Sequence, residues 1–367
     1  MKILIVVVGL SRGGTSVVVK NICPILMQKH EVTILTNDER ILEIKCNKLI
    51  QLKSKSFPIK QYGYMPELKK ILKSNELNEY DVIHIFDYPQ FGADYLTIKK
   101  NKIKPPILLS PHGSMHQFSQ FPLNIFKKIH NLIMLNYRSN ITKFIAMSNA
   151  EKQHLINHKI PEEKIKIVPL GVNPSLIEHK EAEEKFVLYL GRLSKTKNIE
   201  VLIEAFEKCN FNNVKLILAG PDYGMQEKLK KIVKNYGLEK QIIFKGAVSE
   251  NEKNELFSKA TIFVHPSLED VFSLALIEAA SSGAPCIAFD IEANSEILDD
   301  MVTGKLVKNP TSDSLKESLH LLLSNDNLRL KISQNARKQI PEKFNWHKTV
   351  IALENVYKES INENQNH

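Results

Sequence analysis

Two α/β domains, each a doubly wound parallel sheet, are predicted by three features of this sequence. Short apolar runs alternate with helical patterns along most of its 367 residues. The alternation is interrupted by one polar stretch, NPSLIEHKEAEEK at 173–185, and restarts beyond it. A single hydrophobic core rarely serves so long a chain, so two domains of roughly 170–190 residues each are expected.

The first domain opens with KILIVVV (2–8), followed by a helical pattern from about Thr15 to Gln28. EVTILT, DVIHIF, PPILLS, KFIAMS and KIKIVPL follow as further strands. They are near-continuous apolar runs, as strands covered by helices on both faces require. The restart supplies FVLYLG, VKLILAG, QIIFKG, TIFVHPS and APCIAFD, hence a second sheet with the boundary near 170–184. From Thr311 onward the pattern is helical only, ending near FNWHKTVIALENVYK.

A 43% apolar and 25% charged composition is that of a globular chain; only the final SINENQNH looks unstructured. Apolar runs such as LIVVVGL at 4–10 are far shorter than a bilayer span, and the first residues lack a secretory signal's basic start and cleavage site, so a cytoplasmic protein is expected. Cys23, Cys46, Cys209 and Cys286 form no C-x-x-C pair and sit in apolar segments, which reads as reduced core thiols. The +9 net charge is uneven. Residues 1–175 carry 25 Lys and Arg against 13 Asp and Glu, the remainder 25 against 28. Lysines at 45–73 and 99–104 suit an anionic partner or simply a solvated surface. Nucleic acid is not expected, because no recognition motif or basic-aromatic interleaving accompanies the charge.

Open parallel sheets bind ligands beyond the carboxyl ends of their strands, so the motifs there carry the chemistry. Gly13 and Gly14, in GLSRGGTSVVVKNI, fall between the first strand and its helix. They serve either a structural turn or the approach of backbone amides to a phosphate at the helix start. SPHGSMHQF places His112 at a strand end, where an imidazole can contact a hydroxyl or carry a proton. His116 stands four residues on, but Pro111 and Gly113 indicate a loop, so metal binding is not expected. GRLSKTKN clusters Arg192, Lys195 and Lys197 on a strand-to-helix turn, a solvated basic turn or a diphosphate site. In HPSLEDVFSLALIEAASSGAPCIAFD, Asp270 falls in a loop and Glu278 inside a helix capped near Ser273 and closed at Gly283. Carboxylates for sugar and ribose hydroxyls, beside cations and helix-start amides for phosphate, describe a nucleotide-sugar site.

Over nearly its whole length the chain resembles the retaining glycosyltransferases of the GT-B fold, specifically family 4, also called the glycosyl transferases group 1. The matching segments are GGTSVVVKNI, SPHGSM, FIAMSNAEK, IVPLGV, LGRLSKTKNIEVLIEAF, LILAGP, FKGAVS, PSLEDVFSLALIEAASSGAPCIAFD and FNW. The family signature E-x7-E is met at its second position by Glu278, while Asp270 replaces the first glutamate with Glu269 beside it. VFSL stands where G-F-G-L is common, so Phe272, Ser273 and Leu274 still offer backbone amides. The R-x4-K pair is Arg192 and Lys197.

The resemblance implies two Rossmann-like domains facing a cleft. Residues 1–171 with a returning helix at 345–367 form the acceptor side, and 172–344 bind the nucleotide sugar. It implies transfer of a sugar, with retained configuration, from a nucleoside diphosphate sugar to a hydroxyl of a glycan or lipid-linked glycan. Arg192 and Lys197 would stabilise the leaving diphosphate, Asp270 contact the sugar, His112 orient sugar or acceptor, Glu278 hold the ribose and Gly14 admit the diphosphate. No D-x-D motif is present, so metal independence and no resident cofactor are expected. The alternative is a noncatalytic nucleotide-sugar or membrane-peripheral binding protein of the same fold. PLNIFKKIHNLIMLNYR (122–138) sets Lys127, Lys128 and Arg138 beside an apolar face. That face either packs into a core or meets an anionic membrane.

Overall fold

The computed structural model describes residues 1–7, 14–37, 44–55, 64–115, 123–174 and 178–365, with only the backbone at 123–128. It divides into two compact units, Val172–Asn345 and a discontinuous unit made of Met1–Gly171 and the segment from Trp346 onward. Asn345 belongs with the second unit because it pairs with Val172, whose amide also donates to the Phe344 carbonyl at 3.3 Å.

In the first unit seven strands, β1 (Lys2–Val7), β2 (Glu31–Thr36), β3 (Lys48–Gln51), β4 (Val82–Phe86), β5 (Ile107–Ser110), β6 (Lys143–Ala146) and β7 (Ile165–Ile167), form a sheet in the order β3-β2-β1-β4-β5-β6-β7. Every pairing is parallel. The helices are α1 (Gly14–Leu26), α2 (Leu68–Lys73), α3 (Phe91–Ile98), α4 (Leu123–Met134) and α5 (Asn149–Asn157). Leu4, Val6, Ile83, Ile85, Leu109 and Phe144 lie in the core between sheet and helices. This is what continuous apolar strands require, since each face must be covered.

In the second unit β8 (Phe186–Leu190), β9 (Lys215–Ala219), β10 (Ile242–Gly246), β11 (Ile262–His265), β12 (Cys286–Phe289) and β13 (Lys305–Val307) give the order β10-β9-β8-β11-β12-β13, again all parallel. Its helices are α6 (Ile199–Cys209), α7 (Gln226–Asn235), α8 (Glu250–Lys259), α9 (Leu274–Ser282), α10 (Glu292–Ser295), α11 (Ser312–Leu323) and α12 (Asp326–Lys343). The final helix, α13 (Trp346–Gln365), lies against α1 in the first unit. There Tyr357 Oη is 2.7 Å from His84 Nδ1 on β4, Glu354 is 2.9 Å from His30, and Glu363 is 2.8 Å from Lys143 on β6. Burial pushes His84 down to about 3, with His112 adding to the shift, so it enters this buried network as a neutral imidazole.

Both sheets reverse their strand order once, between β1 and β4 and between β8 and β11. In doubly wound sheets the crevice for a ligand opens at such a reversal, beyond the carboxyl ends of the strands. β3 and β13, short edge strands, are the two that the apolar runs do not reveal. Two expectations are corrected: Cys46 is half-buried rather than a core thiol, while Cys23, Cys209 and Cys286 are buried and all four are free, and the closing SINENQNH is helical as far as Gln365, where α13 ends.

Candidate active site

In the second unit the reversal point is occupied by an ion cluster. The chain leaves β8 through Gly191, passes a single 3-10 turn at Lys195–Lys197 and enters α6. This places Lys197 Nζ at 2.7 Å from each carboxylate oxygen of Asp270, in the loop after β11. His265, the last residue of β11, donates from Nε2 to Asp270 Oδ2 at 2.8 Å. Burial lowers the His265 pKa more than Asp270 raises it, so the ring is neutral at neutral pH. Burial alone would raise Asp270, but the Lys197 charge and the His265 hydrogen bond outweigh it and hold the carboxyl below the usual range. An ammonium has three donors, and two are given to Asp270, so one remains for a ligand.

The turn itself is tight. Gly220, at the exit of β9, has φ +135, and a Cβ there would stand 1.9 Å from the Gly191 carbonyl oxygen. Only glycine permits that approach. Arg192 follows on the exposed side, its carbonyl accepting from Tyr189 Oη at 2.8 Å and its guanidinium 5.3 Å from the Tyr223 ring centroid. Lys195 is exposed.

α9 begins as the sequence indicates: Ser273 is the N-cap, accepting from the Leu276 amide at 3.2 Å, and Gly283 closes the helix at φ 92. Phe272 is buried and meets the Phe344 ring edge-on, at 5.6 Å between centroids. Leu274 is the first helical residue, so its amide has no intrahelical acceptor and is available to an anion. Glu278 lies in the second turn. Its Oε1 is 2.9 Å from Lys253 Nζ on α8, so it is not joined to the Lys197–Asp270 cluster. Glu269 is exposed on the loop beside Asp270.

The first unit's reversal point carries a second polar group. Thr15, next to Gly14 at the start of α1, donates to Asp87 Oδ1 at 2.7 Å. Asp87 directly follows β4 with φ 69, and burial pushes its carboxyl up to about 6 against the Thr15 hydrogen bond. His112 follows β5 in a left-handed turn, φ 52, its ring 5.4 Å from that of Phe86, and burial pushes it down to about 4. Glu151, on α5, ties two strand ends together by accepting from the Gly113 amide at 2.6 Å and the Met147 amide at 2.8 Å. Burial outweighs these bonds and raises its pKa to about 7. Gly13 and His116 lie outside the described residues. Asp87, Glu151, His265 and Lys253 are polar site residues that the motifs did not single out. The first and third close buried apolar runs, DVIHIFD and TIFVH, a signal that was available in the sequence.

Comparison with known proteins places the chain in a family. Residues 12–176 match the model of Glycosyltransferase Family 4, and residues 176–339 that of Glycosyl transferases group 1. The chain belongs to glycosyltransferase family 4. Among curated relatives of this family 4 enzyme, an uncharacterized glycosyltransferase of Methanocaldococcus jannaschii is 28% identical over 313 residues, 80% of this chain and 78% of the relative. The N-acetylgalactosamine-N,N'-diacetylbacillosaminyl-diphospho-undecaprenol 4-alpha-N-acetylgalactosaminyltransferase of Campylobacter jejuni is 24% identical over 356 residues, 92% and 94% of the two chains. Among solved structures, Anabaena HepE in complex with UDP and glucose superposes with a TM-score of 0.81 at 19% identity, covering 98% of this chain and 100% of that one. The likeness establishes the GT-B glycosyltransferase fold, with its two Rossmann-like domains. Among the described residues no helix is long and apolar enough to cross a membrane, and no cluster of three or more His, Cys, Asp or Glu is placed to hold a metal ion.

Proposed function

We propose that this family 4 glycosyltransferase transfers a sugar, with retention, from a nucleoside diphosphate sugar to a hydroxyl of a glycan or lipid-linked glycan. The observation that carries the proposal is Lys197, fixed on Asp270 at the strand-order reversal with its third donor unpaired among the described residues. Solved structures of this fold contain UDP, UDP-glucose, or UDP with Fondaparinux and alpha-GlcNAc-glycerol, and curated relatives act on undecaprenol-linked and poly(ribitol-phosphate) acceptors.

In the proposed reaction the bond between the anomeric carbon and the leaving phosphate oxygen breaks as the acceptor oxygen attacks from the same face. The acceptor proton passes to that phosphate oxygen. Lys197 and Arg192 stabilise the charge that develops on the diphosphate, and preorganised cations are most effective there because no solvent needs to reorient. The Leu274 amide and the other first-turn amides of α9 add positive dipole. Asp270 orients Lys197 and contacts the sugar through its remaining lone-pair capacity; Glu278 holds the ribose. On the acceptor side His112, neutral at neutral pH, orients a hydroxyl, and Gly14 at the head of α1 lets the diphosphate approach.

Screening nucleoside diphosphates and nucleotide sugars by thermal shift identifies the donor, since a ligand at a hundred times its Kd stabilises the native state by about 2.7 kcal/mol. Glu278→Ala and Arg192→Ala each lower transfer strongly with the fold retained. Near-normal rates in both variants would remove these residues from the site.

A lipid-linked acceptor requires an approach to a membrane surface. Ile129, Leu132 and Ile133 of α4 are 55%, 69% and 57% exposed, and Leu135 follows at 42%. This face of the helix is therefore not core, whereas His130 and Met134 between these residues are buried, Met134 in the core of the first unit. Arg138 is no part of the basic rim expected beside it, being buried with its guanidinium on the His158 carbonyl. The Lys127 and Lys128 side chains lie outside the described ones. Cosedimentation with anionic but not neutral liposomes, weakened by salt and by Leu132→Glu, supports a membrane-facing α4. Equal behaviour with both lipids rejects it.

A further inference from the structure

Glu278 has a neighbour that none of the motifs includes. Lys253 is on α8, its side chain 12% exposed, and its Nζ lies 2.9 Å from Glu278 Oε1 and 2.9 Å from Glu250 Oε2. The position of Lys253 is set firmly: α8 opens with a capping box between Ser249 and Glu252, one residue before it, and α8 packs on α9. Glu250 is 71% exposed, so of the two carboxylates only Glu278, 21% exposed, is held in a largely dry setting.

We propose that Lys253 is a positioning residue for the donor: its ammonium fastens Glu278 through Oε1, so that Oε2 is left to accept from the ribose hydroxyls. This rests on the reading of Glu278 as the residue that holds the ribose. Three physical points support it. The second oxygen has no hydrogen-bond partner among the described residues, and a carboxylate accepts at both oxygens at once. A glutamate side chain held at one oxygen has already lost the rotamer freedom that binding would otherwise remove. Burial raises the Glu278 pKa and Lys253 opposes that shift, so the cation also favours the ionised acceptor, which makes the stronger hydrogen bonds. Burial in turn lowers Lys253, but Glu278 and Glu250 outweigh it, which keeps the ammonium charged.

A salt bridge that only staples α8 to α9 would affect stability and leave nucleotide selectivity untouched. The deciding experiment therefore measures Kd for UDP and 2′-deoxy-UDP, and for GDP and 2′-deoxy-GDP, with wild type, Lys253→Met, Lys253→Arg and Glu278→Gln. One hydrogen bond to a charged group corresponds to about a 10- to 100-fold preference of wild type for the ribonucleotide. The expected result is that Lys253→Met reduces this preference to within about threefold, as Glu278→Gln does, while Lys253→Arg restores most of it. If Lys253→Met keeps the full preference while Glu278→Gln loses it, Glu278 holds the ribose without help and the role of Lys253 is overturned. If wild type does not distinguish ribonucleotide from deoxynucleotide, or binds neither base, it is the ribose reading of Glu278 that fails, and the proposal falls with it.

Discussion

Replacing Lys197 with methionine separates what the ion cluster does for stability from what it does for chemistry. The side chains of Lys197 and Asp270 are 14% and 15% exposed and joined by two contacts of 2.7 Å. Removing one partner of a buried pair leaves an uncompensated charge and costs about 3–5 kcal/mol. The residual solvent contact puts Lys197→Met near the lower figure, about 3 kcal/mol. In a unit of this size that lowers the unfolding temperature by about 6–12 °C. Transfer also loses a preorganised cation at the leaving diphosphate, which lowers kcat by about 100- to 1,000-fold. The double variant Lys197→Met/Asp270→Asn removes the stranded charge while keeping an acceptor for His265 Nε2. Its stability returns to within about 1 kcal/mol of wild type, and its activity stays as low as that of the single variant. Thermal unfolding and initial rates on the same preparations provide both readouts. The reasoning is refuted if Lys197→Met unfolds and turns over like wild type, or if the double variant is no more stable than the single one.

Three further outcomes are expected. Burial pushes Glu151 up to about 7 from an ordinary 4.5, so between those values the folded chain holds a proton that the unfolded chain has released. Wild-type stability attributable to this group therefore falls as pH rises from about 5 to about 7 and then levels. Glu151→Gln lacks that slope in urea titrations run across the range; an unchanged slope would contradict the assignment. Gly220→Ala drives a Cβ to 1.9 Å from the Gly191 oxygen and destabilises by about 3 kcal/mol or more. Gly224→Ala, at φ +88 with open space around it, costs only about 1 kcal/mol of backbone strain, and equal melting temperatures for the two would count against the clash. EDTA leaves the transfer rate largely intact, because no D-x-D motif marks a metal carried with the donor; full loss restored by manganese would reverse this.

Much of the architecture is legible because strands buried on both faces must be continuously apolar. DVIHIF and TIFVH therefore stand out where KLIQ and KLV do not: the edge strand β3 is largely exposed and needs no such pattern, and the edge strand β13 buries Leu306 and Val307 but is only 3 residues long. The Ser273 cap and the Gly283 stop of α9 are local devices, readable over a few residues. What the sequence does not disclose is pairing across distance. An aspartate after a strand is visible at Asp87, but Thr15, its hydrogen-bond partner, is 72 residues away. Lys253 sits in ENEKNELFSK as one charge among several, and only the packing of α8 on α9 brings it to Glu278. Arg138 reads as a surface cation and is buried because the His158 carbonyl lies within its reach.

The return of α13 to the first unit has a consequence for biosynthesis. A ribosome releases Met1–Gly171 first, yet the groups that complete it, Glu354 for His30, Tyr357 for His84 and Glu363 for Lys143, emerge only after all of Val172–Asn345 has been made. Until then the α1 surface that α13 covers stays open on the nascent chain, a state in which exposed apolar surface favours aggregation. The second unit is contiguous and has every residue of its own core as soon as Asn345 clears the exit tunnel. It is accordingly the half to express alone, whereas truncating the gene before Trp346 would leave a chain of two units of which only the second is whole.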